Sequence, residues 1–268
     1  MIGDPQGPPG RPIGANPSFF DLIRSADPQG PGMRVPTEGT PPLPPHGTTV
    51  VAMKFADGVI MAGDRRAVEG YTIADNEMQK VFAADEHSAV GIAGVAGQAI
   101  EMVRLFQVEL EHYEKVEGEE LSLEGKANRL AQMLRGMFPM VMQGLVVVPI
   151  YAGFDVRRTL GRIFRYDVIG GRYEESDYAA TGSGGVHAKA SMKKRWSSGL
   201  PRQQALEVAV ESLVDAGESD TATAGPDLIR GIFPTVHVIT AEGVDEVPEG
   251  DVKAATEAII GRRGENAS

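Results

Sequence analysis

The chain of 268 residues contains no cysteine. That absence excludes disulfide frameworks, thiolate metal sites and a cysteine nucleophile. The five histidines are far apart in the sequence, and no two of them have the H-x-x-x-H spacing of a ligand pair. A metal enzyme is therefore not indicated, and we expect no metal and no cofactor.

Long apolar runs and an excess of positive charge are also missing. No stretch approaches the roughly 18 apolar residues of a membrane helix, and the N-terminus has no secretory signal pattern. The net charge of −11 argues against DNA or RNA as a partner. An apolar content of 42% and a charged content of 24% are ordinary for a globular protein. These features favour a cytoplasmic protein.

Residues 1–47 hold twelve of the eighteen prolines. Such a segment cannot propagate a helix or pair as a central strand, so it is expected to be mostly disordered. Residues 17–24 are an exception, since they could form a short docked helix. The proline-rich composition ends abruptly at Gly47, before Thr48 and Thr49. Residues 1–47 are therefore either a linker or a segment that is cut off to leave Thr48 as a new N-terminus.

From Thr48 onward, alternating and 3.6-residue apolar patterns predict a mixture of strands and paired helices. The predicted strands cover residues 48–55, 59–64, 80–83, 88–93, 145–153, 162–169, 173–181, 236–240 and 244–247. The predicted helices include residues 99–113, 127–137, 184–196 and 201–216, and the tail after residue 260 is expected to be disordered. This order predicts an α+β fold with two antiparallel sheets packed face to face between helix pairs. Periodicity alone leaves open the simpler arrangement with helices on one face.

Cleavage before Thr48 would create a self-sufficient nucleophile. A threonine hydroxyl ionises too little near neutrality to attack well unaided. The freed α-amine, with an ordinary pKa of about 7.7–8, can act as its general base. One residue then supplies nucleophile and base, which suits a chain without an obvious triad.

Such a site needs a nearby lysine to keep the amine neutral, and a carboxylate to hold that lysine. Asp64 ends the second predicted strand and Lys80 begins the third. Strand parity also aligns Ile92 with Gly94, just before a predicted helix. The backbone N–H of Gly94 could then stabilise an oxyanion.

Taken one at a time, these residues have more ordinary interpretations. Asp64 with the two following arginines could be a surface charge cluster, and an exposed strand lysine such as Lys80 is commonplace. The glycine-rich residues 91–97 match no phosphate-binding pattern, and Ser183 could simply cap a helix. The hypothesis depends on the combination.

That combination resembles a known family. Gly47-Thr48-Thr49-Val50, Ala62-Gly63-Asp64-Arg65-Arg66, Lys80, Gly91-Ile92-Ala93-Gly94 and Ser219-Asp220-Thr221-Ala222-Thr223-Ala224-Gly225 are similar to the catalytic β subunits of the 20S proteasome. The similarity is greatest to the actinobacterial type, which carries a long propeptide, and it extends from Gly47 to about Pro248. It implies an N-terminal nucleophile hydrolase fold, a four-layer αββα sandwich, and a threonine endopeptidase made as a zymogen. Residues 1–47 would be a propeptide removed by self-cleavage at Gly47–Thr48, residues 48–248 the catalytic domain, and residues 249–268 a partly disordered tail.

The resemblance also assigns roles to single residues. Thr48 is similar to the nucleophile, Lys80 and Asp64 to the supporting pair, and Gly94 to the oxyanion donor. Ser183 and Asp220 match residues that form hydrogen bonds around the threonine amine. Thr223 stands where the wider family has serine, so its hydroxyl is retained but its hydrogen bonds are open.

We expect the substrate pocket on the side that Lys80 and Gly94 face. The candidates are Ala67, Met78, Phe82, Ile92 and Ala96, all apolar, which predicts preference for bulky hydrophobic residues before the cut bond.

The resemblance implies partners as well: a homo-heptameric β ring stacked on a second β ring, rings of α subunits, a ring-shaped ATPase and unfolded substrates, among them pupylated proteins. Three alternatives remain open. They are the simpler two-ring bacterial relative of the proteasome, a non-catalytic ring subunit, and a small-molecule amidohydrolase with the same nucleophile.

Overall fold

The computed structural model describes residues 47–69 and 72–266. The predicted propeptide therefore lies outside the described residues except for Gly47, as does the predicted short helix of residues 17–24. Among the residues described, no helix is both long enough and apolar enough to cross a membrane.

In the residues described, two five-stranded antiparallel sheets and a separate hairpin make up the β structure. The first sheet has the order β10-β1-β2-β11-β12, and the second has the order β5-β6-β7-β8-β9. The first consists of β1 (Thr49–Phe55), β2 (Gly58–Gly63), β10 (Tyr178–Gly182), β11 (Thr235–Thr240) and β12 (Gly243–Glu246). The second consists of β5 (Val81–Asp85), β6 (Ser88–Gly91), β7 (Ile150–Asp155), β8 (Leu160–Tyr166) and β9 (Arg172–Glu175). The separate hairpin consists of β3 (Ala67–Glu69) and β4 (Thr72–Asp75).

Six helices accompany these strands in the described part of the chain. They are α1 (Ala96–Glu117), α2 (Leu123–Gly136), the single turn α3 (Phe138–Val141), α4 (Gly185–Arg195), α5 (Arg202–Ser219) and α6 (Glu249–Asn266). Ser122 caps α2, since its side chain accepts a hydrogen bond from the N–H of Gly125 at 3.1 Å.

Three apolar clusters show how the layers stack. One joins β1, β2 and β11 to α4, α5 and α6. A second joins β6, β7 and β8 to α1 and α2. The third, which includes Val50, Met61, Ile150 and Ile163, lies between the sheets. The four-layer αββα sandwich expected from the sequence is thus confirmed, with alternate residues of each central strand facing opposite layers.

Several predicted elements differ from the structure. Residues 173–181, predicted as one strand, form the end of β9 and most of β10, which lie in different sheets because the chain crosses over at Ser176 and Asp177. The strand predicted from residue 145 begins only at Ile150, since Pro149 has no N–H for the ladder. The hairpin of β3 and β4 was not predicted.

The C-terminal segment is the largest correction. Helix α6 continues to Asn266, so the predicted disorder after residue 260 is wrong at least that far. Val252, Ala255 and Ile259 of α6 are buried in the same cluster as β1 and β11. The folded domain therefore extends beyond residue 248.

On α1, Ala99, Val103, Phe106 and Leu110 are buried as predicted, but Tyr113 is exposed.

Candidate active site

Thr48 lies immediately before β1 and is buried, with 4% of its surface exposed. Its hydroxyl donates a hydrogen bond to the carbonyl oxygen of Gly47, with 2.7 Å between the oxygens. Gly47 is packed so tightly that a Cβ at this position would lie 1.8 Å from the Cβ of Ala222. Only glycine fits there without displacing its neighbour, and the threonine hydroxyl is held against the peptide group that precedes it.

Asp64 and Lys80 form a buried ion pair beside this threonine. Asp64 directly follows β2 and Lys80 directly precedes β5, so the ends of two facing sheets bring them together. The distance from Nζ to Oδ1 is 2.7 Å, and both side chains are fully buried. The carboxylate also accepts hydrogen bonds from the backbone N–H groups of Thr49 at 2.8 Å, Arg66 at 3.0 Å and Ala224 at 3.0 Å. Four donors therefore satisfy this buried charge.

The pKa of Lys80 is lower than that of an exposed lysine. Burial lowers its pKa below the ordinary value, and nearby Arg66 lowers it further, while Asp64 opposes both effects. The carbonyl of Arg66 accepts a second hydrogen bond from Nζ. Lys80 is thus fixed in position by Asp64 and the Arg66 carbonyl, with a pKa below that of an exposed lysine.

Asp220 organises a second polar group at the end of α5. Its Oδ2 accepts hydrogen bonds from the hydroxyls of Ser183 and Thr223, each at 2.6 Å. The N–H of Ala222 donates to Oδ1 at 3.3 Å. Partial burial raises the pKa of Asp220, but these three hydrogen bonds outweigh it, and the pKa is lowered overall. Asp220 is therefore a stable carboxylate near neutral pH.

Backbone hydrogen bonds join the Asp64–Lys80 pair and the Asp220 group to Thr48 and Thr49. The N–H of Ser183 donates to the carbonyl of Thr48 at 3.0 Å, and the N–H of Asp64 donates to the carbonyl of Thr49 at 3.1 Å. Thr48, Asp64, Lys80, Ser183, Asp220 and Thr223 thus belong to one connected network.

Gly94 lies in the turn before α1 with φ of +114°, a conformation that favours glycine. A Cβ here would be 2.0 Å from the carbonyl oxygen of Val146. Gly94 faces Val147 across a β-bridge whose hydrogen bonds are made by the flanking residues, from Val95 to Val146 and from Val148 to Ala93. The N–H of Gly94 therefore points away from that segment.

The predicted pocket residues do not share one environment. Met78 and Phe82 are half-buried against the cluster formed by α1 and α2, and Ile92 is a core residue of that cluster with 1% exposure. Ala67 begins β3 and Ala96 begins α1, both half-buried. Of the five, Ile92 presents the least surface to a substrate.

Thr49 and Gly184 also belong to this network, although neither had a predicted role. The hydroxyl of Thr49 lies 2.6 Å from that of Thr223 and accepts a hydrogen bond from the N–H of Gly184 at 3.0 Å. A Cβ on Gly184 would lie 2.5 Å from both hydroxyl oxygens. The sequence did hold a signal for Thr49, since two threonines stand together where the strand begins. Successive side chains of a strand face opposite sides, so Thr49 had to point into a different environment from Thr48.

Two other features lie away from this network. A cavity of about 920 Å³, lined in part by Lys54, Trp196 and Arg202, opens at the far end of β1. In the described residues, Glu86, His87 and Glu120 could together offer ligands to a metal ion, although Glu120 already pairs with Lys126 at 2.8 Å.

Comparison with known proteins gives consistent matches. A family model described as "Proteasome subunit" matches residues 45–227. A protein of Streptomyces griseus named "Proteasome subunit beta" is 54% identical over 92% of this chain and 88% of its own length. Proteins of the same name from Jonesia denitrificans and Acidimicrobium ferrooxidans are 52% and 54% identical, over 93% and 86% of this chain and 83% and 86% of their own lengths.

Proposed function

The chain belongs to the proteasome family, as one of its β subunits, and on that premise we propose that it is a threonine endopeptidase that activates itself. That the chain is a protease of the proteasome core, assembled with α subunits, follows from its relatives. Beyond this, we propose that Thr48 is the nucleophile, that the chain cuts itself at Gly47–Thr48, and that single residues of the site have the roles given below.

Self-cleavage would begin at the hydroxyl of Thr48. Its oxygen attacks the carbonyl carbon of Gly47, the C–N bond to Thr48 breaks, and the acyl group passes to the hydroxyl oxygen as an ester. The hydroxyl proton passes to the released nitrogen. Water then hydrolyses the ester, so that residues 1–47 leave with a new carboxylate and Thr48 keeps a free amine. The hydrogen bond from the hydroxyl to the Gly47 carbonyl oxygen, with 2.7 Å between the oxygens, supports this step because it keeps the hydroxyl beside the peptide group that it would attack.

Substrate hydrolysis would use the same oxygen with the freed amine as base. The amine accepts the hydroxyl proton as the oxygen attacks the substrate carbonyl, and the N–H of Gly94 stabilises the resulting oxyanion. The proton passes to the leaving amine, and water releases the acyl group from the ester. Lys80, held by Asp64, keeps the threonine amine neutral by like-charge repulsion, while Ser183, Asp220 and Thr223 orient it.

The buried Asp64–Lys80 pair carries this proposal. Removing two charges from water is unfavourable, and a pair of well-packed apolar residues would serve the fold as well or better. Yet the pair is fully buried, and its carboxylate accepts a hydrogen bond from the N–H of Thr49, the residue after the proposed nucleophile. Charge placed there at such a cost is typical of a catalytic site.

We further propose a homo-heptameric β ring stacked on a second one, capped by α rings and fed by a ring-shaped ATPase in the cytoplasm. The substrates would be unfolded proteins, including pupylated ones. The apolar candidates Ala67, Met78, Phe82, Ile92 and Ala96 favour cleavage after bulky hydrophobic residues.

The test is intact mass with N-terminal sequencing after co-expression with the α subunit. Wild type should lose residues 1–47 and begin at Thr48, while Thr48→Ala should keep its leader in an equally assembled particle. The wild-type particle should degrade an unfolded protein such as casein and leave single amino-acid amides intact. A full-length wild type in assembled particles would instead identify a structural ring subunit. Cleavage of the amides alone would identify an amidohydrolase.

A further inference from the structure

Thr49 connects the two polar groups of the site. Its N–H donates to Asp64 at 2.8 Å, and its carbonyl accepts from the N–H of Asp64 at 3.1 Å. Its hydroxyl lies 2.6 Å from that of Thr223, which reaches Asp220. Thr49 is fully buried, so all three interactions are shielded from water.

The direction of the hydroxyl hydrogen bonds follows from counting protons. Asp220 is a carboxylate with a lowered pKa and only accepts, so the proton of Thr223 points to it. The hydroxyl of Thr223 must then accept from Thr49, since its single proton is already used. Thr49 in turn accepts from the N–H of Gly184 at 3.0 Å. The result is a directed chain from Gly184 through Thr49 and Thr223 to Asp220.

This arrangement differs from that of an ordinary buried threonine. The hydroxyl of Thr256 on α6, which is also fully buried, donates at 2.8 Å to the carbonyl of Val252 one turn earlier. That local bond satisfies the group without involving any other element. The hydroxyl of Thr49 instead links β1 to the segments before α4 and after α5, in a space so restricted that Gly184 admits no side chain.

We propose that Thr49 is a positioning residue whose hydroxyl aligns the nucleophile and amine of Thr48 between Lys80 and Asp220. This inference rests on the proposed function of Thr48. Thr49 touches no substrate. It fixes the backbone next to Thr48 from both sides, because its amide is tied to the Asp64–Lys80 pair and its hydroxyl to the Asp220 group.

The experiment compares Thr49→Val, Thr49→Ser and Thr256→Val with wild type, each co-expressed with the α subunit. Valine keeps the shape of threonine and removes the hydroxyl, serine restores the hydroxyl, and Thr256→Val removes an equally buried hydroxyl elsewhere. Assembly is measured by native mass spectrometry, self-cleavage by intact mass over time, and kcat, KM and pH profiles with a fluorogenic peptide.

In assembled particles, Thr49→Val should slow self-cleavage and lower kcat about tenfold, with KM within about twofold, because misalignment acts on the reacting group rather than on substrate binding. The acid limb of its kcat/KM profile should move to higher pH, since an amine held less closely to Lys80 regains part of its ordinary basicity. Thr49→Ser and Thr256→Val should stay within about twofold of wild type with unmoved profiles.

Each remaining outcome has a distinct meaning. Wild-type kcat and pH profile in Thr49→Val would overturn the positioning role and leave the proposed function intact. Equal losses in Thr49→Val and Thr256→Val would overturn it too, because the effect would then be one of general stability. If the wild-type particle itself is uncut and inactive, the proposed function fails, and this inference fails with it.

Discussion

At the scale of single residues, the position of Asp64 determines most of the site. Its carboxylate receives donors from Lys80 and from the N–H groups of Thr49, Arg66 and Ala224, which come from separate parts of the chain. Removing one partner of a buried pair typically costs about 3–5 kcal/mol, because the remaining charge loses its compensation. The N–H donors reduce that cost for Asp64, whereas Lys80 would keep only a carbonyl.

The tight packing of Gly47 makes a prediction about the cut bond. In Gly47→Ala the new Cβ would overlap Ala222, lying 1.8 Å from its Cβ and 2.6 Å from its Cα, so the Gly47 carbonyl must move. A displacement near 1 Å should slow self-cleavage by about tenfold or more. Intact mass followed over time after assembly measures the rate.

Two further variants test the cause. Adding Ala222→Gly to Gly47→Ala removes the nearest overlapping atom but leaves the overlap with the backbone of residue 222, so it should recover only part of the rate. Gly97→Ala, at a position with no heavy atom within 4 Å of the added Cβ, should cleave like wild type. An unchanged rate in Gly47→Ala would show that the packing against Ala222 does not control the reaction.

The ion pair of Asp64 and Lys80 was predictable from the sequence. The chain of hydrogen bonds from Gly184 through Thr49 and Thr223 to Asp220 was not. Asp64 and Lys80 flank strands that the sequence predicted, and they meet in a buried ion pair as expected. The interactions of Thr49 with Thr223 and Gly184 depend on how segments more than a hundred residues apart cross one another. No local pattern encodes such a crossing.

At the scale of elements, the amphipathic helices and the hairpins other than that of β3 and β4 were the predictable parts. The hairpin of β1 and β2 agrees with its apolar pattern, as does the inner face of α5. The failures have physical causes. The crossover from one sheet to the other takes only two residues, Ser176 and Asp177, so the sequence shows no long loop between the two strands. Helix α6 has few apolar residues, and only the tertiary structure reveals their burial.

Strand β11 carries a pH-sensitive residue at its centre. His237 has 5% exposure, and burial lowers its pKa below the ordinary 6.5, while Glu246 on β12 opposes the shift. The unfolded chain therefore binds the proton more readily than the folded one. Stability should be complete above about pH 6.5 and decline as the pH falls towards the lower folded pKa, by at most about 1.4 kcal/mol per pH unit for this group.

Thermal unfolding of His237→Leu and wild type between pH 7.5 and 5 measures this contribution. The variant should lose less of its Tm on acidification, since leucine fills the site and carries no proton. His112→Leu, at an exposed position on α1, should follow the wild-type slope. Identical slopes for wild type and His237→Leu would assign the acid sensitivity to other groups.

At the scale of the whole molecule, three large apolar side chains of α1 are exposed on one side of the helix. Leu105, Val108 and Val116 of α1 lie on one side and are 52%, 60% and 65% exposed. An exposed apolar stripe on a subunit of a larger particle indicates a surface that assembly covers. The opposite side of α1 is already buried against the second sheet.

We predict that Val108→Glu blocks assembly with the α subunit while the subunit stays folded, because a buried unpaired carboxylate is costly at an interface. Native mass spectrometry reports assembly, and circular dichroism reports folding. Val156→Glu, an equally exposed apolar position in the turn after β7, is the matched control and should assemble. Normal particles from Val108→Glu would show that the stripe faces solvent.

The backbone anchors of Thr48 and Thr49 have a consequence for activation. The bonds from Ser183 to the Thr48 carbonyl, and between Asp64 and Thr49, all lie on the C-terminal side of the Gly47–Thr48 bond. None of them is lost when that bond breaks. Under the proposed function, activation only removes residues 1–47. The backbone hydrogen bonds that hold Thr48 and Thr49 do not have to form anew. Activity then begins once the ester on the Thr48 oxygen has been hydrolysed, with no refolding step to delay it.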